Sequence, residues 1–332
     1  MGYVLVTGGA GYIGSHTARH LLSAGHKIVV LDNLYSGHRW AVPEQAVFIE
    51  GDAGCAHTVN KVFNDFDIVA ILHFAGHIVV PESVENPLKY YENNCAVTQT
   101  LAALAVEHGI EHMIFSSSAA VYGEPKELPV TELTMTKPIS PYGRTKLISE
   151  WLLGDVSQAN TAFNFVALRY FNVAGAALDG SVGQATPEAT HLIKVAVELV
   201  VGKRQEVSLF GADYSTPDGT CIRDYIHIED LAAAHVSALR YLQSGGTSDV
   251  FNCGYGQGYS VKDVLDCIEK LAGEKLNIKK VGRRAGDPAE LIANNDKILA
   301  TLDWHPQHND IELICQTALD WERFLMTQTT LN

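Results

Sequence analysis

No apolar stretch reaches the roughly 18 residues that a membrane-spanning helix needs, so no bilayer-crossing segment is expected. The short apolar start, Tyr3–Thr7, runs straight into glycines rather than a cleavage site, which argues against a secretory leader and for a cytoplasmic protein. Cysteine is sparse and scattered. Cys55, Cys95, Cys221, Cys253, Cys267 and Cys315 include no Cys-x-x-Cys pair, so neither a metal site nor a disulfide framework is signalled, and reduced, mostly buried thiols are expected. Runs of Lys and Arg are missing too. With 24 basic against 38 acidic residues, the net charge of −14 argues against nucleic acid or an anionic membrane as partner. Internal repeats, low-complexity tracts and long charged linkers are also absent.

What is present is apolar mass and rhythm. At 332 residues and 47% hydrophobic content, the chain can bury one large core but exceeds the usual single-domain size, so a large and a small lobe are expected. Short β-rich runs at Val4–Val6, Ile28–Leu31, Val47–Ile49, Ile68–His73, Met113–Ser116 and Phe165–Leu168 alternate with helical patterns. That alternation predicts an α/β fold, a doubly wound parallel (Rossmann) sheet with a smaller α/β substrate lobe near the C-terminus. Long helices are predicted over about Pro87–His108 and Pro141–Gln158, each with a proline near its start, where the missing N–H costs nothing. After Asn172 the rhythm breaks into loops rich in Gly and Pro, then resumes at Val250–Cys253 and a helix near Val261–Leu271. We read residues 1–173 plus about 225–253 as a cofactor-binding domain, and about 174–224 plus 254–332 as the substrate lobe.

The first strand leads into Gly8-Gly9-Ala10-Gly11-Tyr12-Ile13-Gly14 and then a helix. A Cβ at such a turn would keep the backbone from a pyrophosphate, toward which the next helix directs unpaired N–H groups and its positive dipole end. A glycine turn can also serve only to pack helix on strand. Asp32, ending the second strand, favours the first reading: it can accept from both ribose hydroxyls and would repel a 2′-phosphate, so NAD is expected over NADP. Asp52 is placed either to meet adenine or to cap the following helix.

Tyr142 and Lys146 stand four residues apart, on one face of a helix near its start. A phenol with a pKa of about 10 is a poor base at neutral pH, but an ammonium and the positive charge of NAD⁺ nearby would favour the phenolate. A serine of Ser116-Ser117-Ser118 falls at the carboxyl edge of the sheet, where an open α/β sheet binds ligands. For Ser116 and Ser117, the expectation is turn residues that bond to backbone.

Together the segments Thr7–Gly14, His73–Gly76, Ser116–Gly123, Ser140–Lys146, Arg169–Asn172, Leu209–His227 and Arg283–Asp287 resemble the extended short-chain dehydrogenases of the NAD-dependent epimerase/dehydratase family, in its order and spacing over nearly the whole chain. The resemblance implies an isomerase acting on a UDP-hexose through a 4-keto form, with tightly held NAD and no net redox change. It implies Tyr142, Lys146 and Ser118 as the catalytic set. As cofactor contacts it implies Gly8, Gly11, Tyr12, Ile13, Gly14, Asp32, Asn33, Asp52, Ala53, Phe74, Ala75, Asn93 and Phe171, with Tyr142 and Lys146. Substrate contacts implied are Ser118, Asn172, His191, Phe210, Arg223, Arg284, Asp287 and Leu291, with Phe210 against the uracil and the arginines on the diphosphate. A homodimer through the two long helices is also implied.

Three positions depart from the family pattern. Ile78 stands where several members carry lysine, and His191 where many carry asparagine; a lone histidine on a helical pattern also reads as a packed, non-catalytic residue. Leu291 occupies the pocket-limiting position, where tyrosine restricts and a small residue admits N-acetyl sugars. A 4,6-dehydratase would need an acidic pair after the active serine, where this chain has Ala119 and Ala120. A net oxidoreductase would leave reduced cofactor behind, and a non-catalytic NAD sensor would typically have lost the Tyr or Lys.

Overall fold

Along the first strand, Val4 and Val6 face one side of the sheet and Leu5 the other, and all three are fully buried. The second strand repeats this, with Ile28 and Val30 on one core and Val29 and Leu31 on the other. Strands apolar on both faces must be covered on both, which is the signature of a parallel sheet between helix layers. The computed structural model describes residues 2–284 and 287–328.

The first half runs β1 (Tyr3–Thr7), α1 (Tyr12–Ser23), β2 (Lys27–Asp32), β3 (Val47–Glu50), α2 (Ala56–Asp65), β4 (Ile68–His73), α3 (Val80–Glu85), α4 (Pro87–Tyr90), α5 (Val97–Glu107), β5 (His112–Ser118), α6 (Pro141–Ala159) and β6 (Asn164–Tyr170). The second runs β7 (Asn172–Ala174), α7 (Leu192–Val200), β8 (Val207–Phe210), β9 (Ile222–His227), α8 (Ile228–Gln243), β10 (Asp249–Cys253), β11 (Gly258–Ser260), α9 (Val261–Ala272), β12 (Ile278–Val281), β13 (Glu290–Leu291), α10 (Asp296–Thr301) and α11 (Ile311–Thr327).

Seven parallel strands form the large sheet in the order β10-β6-β5-β4-β1-β2-β3. The doubly wound expectation therefore holds. The winding reverses between β1 and β4, and the crevice at the carboxyl ends of those strands is where such sheets take ligands. Two small sheets stand beyond it: β9 between β11 and β13, with β7 also on β9, and β8 with β12.

The helix expected over Pro87–His108 is not one regular helix. Between α4 and α5 the chain widens into a π-helical turn, Tyr91–Ala96. Asn94 accounts for it: its Oδ1 accepts from His77 N at 2.8 Å, while its Nδ2 donates to His77 O at 3.1 Å and to Thr145 Oγ1 at 3.1 Å. The wider turn lets Asn94 reach back to the loop after β4 while Asn93 faces the crevice.

Candidate active site

The glycines of the first turn do different jobs. Gly8 has φ +71°, and a Cβ on it would come within 2.6 Å of Ala75 N. A Cβ on Gly14 would lie 2.3 Å from Gly8 O, so α1 can start this close to the turn only with glycine there. Gly11 is different. As the N-cap of α1 it has room for a Cβ apart from Gly8 O at 3.2 Å, and it lines the crevice with the open N–H end of the helix behind it. A side chain at Gly11 would fill that cradle, so the residues present fit a dinucleotide diphosphate.

Asp32 stiffens this wall. Its Oδ2 accepts from Ala10 N at 2.9 Å, and its Oδ1 accepts from Leu34 N at 2.8 Å, holding Leu34 at an unusual φ of 57°. Asn33 Oδ1 accepts from Tyr35 N at 3.0 Å. Asp52 does not cap α2 with its side chain; Oδ1 accepts from Gly54 N at 2.7 Å in a local turn, and the N-cap is Cys55. Tyr12 donates to Gly175 O at 2.6 Å, tying α1 to the segment after β7. All the expected cofactor contacts, from Gly8 through Phe171, line one cavity of about 470 Å³.

On the opposite wall, β5 delivers Ser118, whose Oγ accepts from Ala120 N at 3.2 Å. Ser140 caps α6 by accepting from Gly143 N at 3.1 Å, and Pro141 opens the first turn. Gly143 allows the close approach: a Cβ there would meet Ala120 O at 2.6 Å. Tyr142 is thereby brought beside Ser118. One turn on, Lys146 Nζ donates to Ser116 O at 2.8 Å.

In the protein alone, burial dominates the electrostatics of this pair. Burial pushes the Tyr142 phenol up, with the Ser118 hydroxyl pulling the other way, while burial lowers the Lys146 ammonium to about 8 against the pull of Cys95 and Glu150. Lys146 is 5.9 Å from the centre of the Tyr142 ring and spends a hydrogen bond on a carbonyl, so in the protein alone burial outweighs it.

Ser116 and Ser117 are not turn residues bonded to backbone. Both lie within β5, the Ser116 hydroxyl meeting Tyr170 and the Ser117 hydroxyl meeting Glu150. Glu150 also pairs with Arg169, at 2.6 Å from Nη2 and 3.0 Å from Nε, and Arg169 reaches Tyr122 OH at 3.0 Å. This buried network locks β5, α6 and β6 in register and explains Arg169 structurally.

The wall expected to face the sugar is assembled from distant segments. Asn172, His191, Arg223, Asp287 and Leu291 all line the cavity, and Arg223 is paired with Asp287. Phe210 and Arg284 are not brought to its lining; the Arg284 guanidinium lies 3.6 Å from the centre of the Phe210 ring, covering one face. Ile78 lines the cavity and is 43% exposed. Leu291 packs against a buried cluster that includes Ala119, Val121 and Phe171. His191 is open to the cavity rather than packed away, yet protein surrounds it closely enough that burial lowers its pKa. Tyr35, His77, Gln184 and Thr186 also line the cavity. No motif singles them out, because each reaches the cavity through a loop or strand end whose path is set by packing.

A seven-stranded doubly wound sheet with a glycine cradle, an acidic strand end and a Ser–Tyr–Lys group facing one crevice defines a dinucleotide enzyme of the short-chain dehydrogenase type. Residues 4–254 match the NAD dependent epimerase/dehydratase family. The chain belongs to that family. It is 50% identical over 322 residues to the UDP-glucose 4-epimerase of Azospirillum brasilense, covering 97% of this chain and 92% of that one. The UDP-glucose 4-epimerase of Brucella ovis in complex with NAD superposes with a TM-score of 0.93 at 43% identity, covering 96% of this chain and 98% of that one. The UDP-Glc/GlcNAc 4-epimerase of Campylobacter jejuni superposes with a TM-score of 0.86 at 47% identity, covering 98% and 100%.

Proposed function

We propose that this chain interconverts UDP-galactose and UDP-glucose as an NAD-dependent 4-epimerase. The observation that carries the reading is the meeting of Ser118, Tyr142 and Lys146 with the glycine cradle in one cavity, in a chain half identical to a UDP-glucose 4-epimerase. NAD, when bound, supplies a two-electron acceptor and donor for C4 of the sugar. Tyr142, as the phenolate, takes the 4-hydroxyl proton on its oxygen to become the phenol and later returns it, and Ser118 hydrogen-bonds the same sugar oxygen. Lys146 orients the nicotinamide ribose and lowers the phenol pKa once the site is filled. Asp32 holds the adenine-side ribose, and Arg223 contacts the diphosphate.

We assign NAD binding to residues 1–173 plus about 225–253 and UDP-sugar binding to the remainder, with β9 carrying Arg223 at the seam. The test is incubation of the purified protein with UDP-galactose, with product separation and absorbance at the NADH band. UDP-glucose appearing with no net absorbance change is expected; accumulated reduced cofactor would point to a net oxidoreductase instead.

One observation favours a broader substrate range: Leu291, not a tyrosine, lines the cavity. Turnover of N-acetylated UDP-hexoses follows if Leu291 is the gate. For assembly, we propose a homodimer through the helices over Pro87–His108 and Pro141–Gln158. Leu88 (81% exposed) and Trp151 (60%) leave apolar surface on these neighbouring segments, and sedimentation at micromolar concentration should give a dimer. No described helix is long and apolar enough to cross a membrane. We place the enzyme in the cytoplasm, where NAD is available and the six free thiols stay reduced.

A further inference from the structure

Gln184 lies in the loop before α7, buried but on the cavity wall, and its backbone is held from two sides. Lys194 Nζ of α7 donates to Gln184 O at 2.9 Å, and Trp321 Nε1 of α11 donates to the same oxygen at 3.2 Å. Lys194 is paired with the fully buried Glu322 of α11, which Lys203 also meets at 2.7 Å, so the clamp is rooted in the C-terminal helix. Gly183 completes it. A Cβ there would come within 2.5 Å of the Trp321 ring, so only glycine lets the loop lie flat against α11.

With the backbone held, the Gln184 side chain is aimed at the imidazole of His191. Its Nε2 lies 3.3 Å from His191 Nδ1. With the amide nitrogen turned toward the ring, its N–H donates, Nδ1 accepts and the ring proton sits on Nε2. His191 Nε2 has no hydrogen-bond partner among the described residues, and the ring is open to the cavity. We infer that Gln184 is a positioning residue that fixes His191 as an Nε2–H donor to an acceptor oxygen of the bound UDP-sugar, a diphosphate oxygen or a sugar hydroxyl. The identity of that ligand rests on the epimerase reading; the tautomer does not. Burial lowers the His191 pKa, which favours the neutral ring, and in that form the tautomer decides whether the cavity-facing nitrogen offers a donor or an acceptor.

The experiment uses the full chain loaded with NAD and labelled with ¹⁵N-histidine, with the His191 signal assigned by its loss in His191→Asn. Long-range ¹H–¹⁵N correlation should show Nε2 protonated and Nδ1 bare. Gln184→Glu, whose carboxylate only accepts, should move a proton onto Nδ1, a signature that a merely structural role would not produce. In parallel, Gln184→Leu should raise KM for UDP-galactose by about three- to tenfold with kcat within about twofold, as expected for loss of one oriented hydrogen bond made equally before and during reaction. A bare Nε2 in the unmodified enzyme overturns the inference, and this measurement stands even where Gln184→Leu fails to retain NAD. So does an unchanged KM in a Gln184→Leu enzyme that still binds NAD. Failure of the unmodified enzyme to turn over any UDP-sugar strikes the epimerase reading instead, while normal turnover with a protonated Nδ1 strikes only this inference.

Discussion

The two walls of the cavity are built on opposite plans. The cofactor wall takes Gly8, Gly11, Gly14, Asp32 and Asn33 from two consecutive strands and one helix, so its geometry is set by local backbone: a left-handed glycine, a helix start and a strand end. The wall proposed for the sugar takes Asn172, Gln184, His191, Arg223, Asp287 and Leu291 from a span of about 120 residues, on loops and short strands. Local chemistry can enforce the first plan. The second depends on packing between elements far apart in the chain, such as α11 behind Gln184 and β9 between β11 and β13. The difference matches the proposed task, since the cofactor is held in one pose while the sugar must present two faces.

Where the walls meet, Tyr142→Phe removes one hydroxyl and should cut conversion of UDP-galactose to UDP-glucose by roughly 10²–10⁴-fold, with NAD content and thermal stability nearly unchanged. A variant that keeps more than about a tenth of the rate with NAD bound would show that Tyr142 is not the base.

The next largest effect tests the backbone plan of the cofactor wall. In Gly14→Ala the new methyl meets Gly8 O at 2.3 Å and Gly9 Cα at 2.8 Å, backbone atoms that cannot swing aside. The protein should purify without NAD and lose about 1–3 kcal/mol in urea unfolding. Full NAD occupancy in this variant would refute the claim that local backbone sets this wall.

Acid should then weaken both walls. Burial holds His73, between Thr7 and Thr98 at the end of β4, down to about 3, and holds His227, at the end of β9, down to about 4. Between pH 6.5 and about 4 the unfolded chain takes protons on these rings that the folded chain refuses. Stability therefore falls as pH falls, by up to about 1.4 kcal/mol per pH unit for each histidine. Urea midpoints at pH 7 and pH 5 check the sign, and His73→Gln should lessen the drop.

The smallest effect is confined to the sugar wall. Leu291→Tyr should lower turnover of UDP-N-acetylgalactosamine by about tenfold while sparing UDP-galactose and NAD content. An equal loss on both sugars would mean that Leu291 is not the gate.

Legibility in the sequence follows the same division. The large sheet could be read because each of its strands is apolar on both faces, and the glycine cradle with Asp32 because all its parts lie within one strand–helix–strand unit. Tyr142 and Lys146 could be paired from helical spacing alone. The break at Tyr91–Ala96 could not, because the backbone of His77 and the hydroxyl of Thr145 pull Asn94 out of the regular helix. Ser116 and Ser117 read as turn residues until β6 and α6 supply Tyr170 and Glu150 as partners.

By itself, then, the sequence determined the sheet, the cradle and the spacing of Tyr142 and Lys146 on their helix, since each depends on residues a few positions apart with fixed backbone preferences. Only the tertiary structure decided that Ser116 and Ser117 meet Tyr170 and Glu150, that Lys146 bonds Ser116 O, that Arg284 lies on Phe210 outside the cavity lining, and that Gln184 aims at His191. Those contacts join residues separated by up to about 75 positions, and no local preference encodes which side chain will meet which once the elements pack.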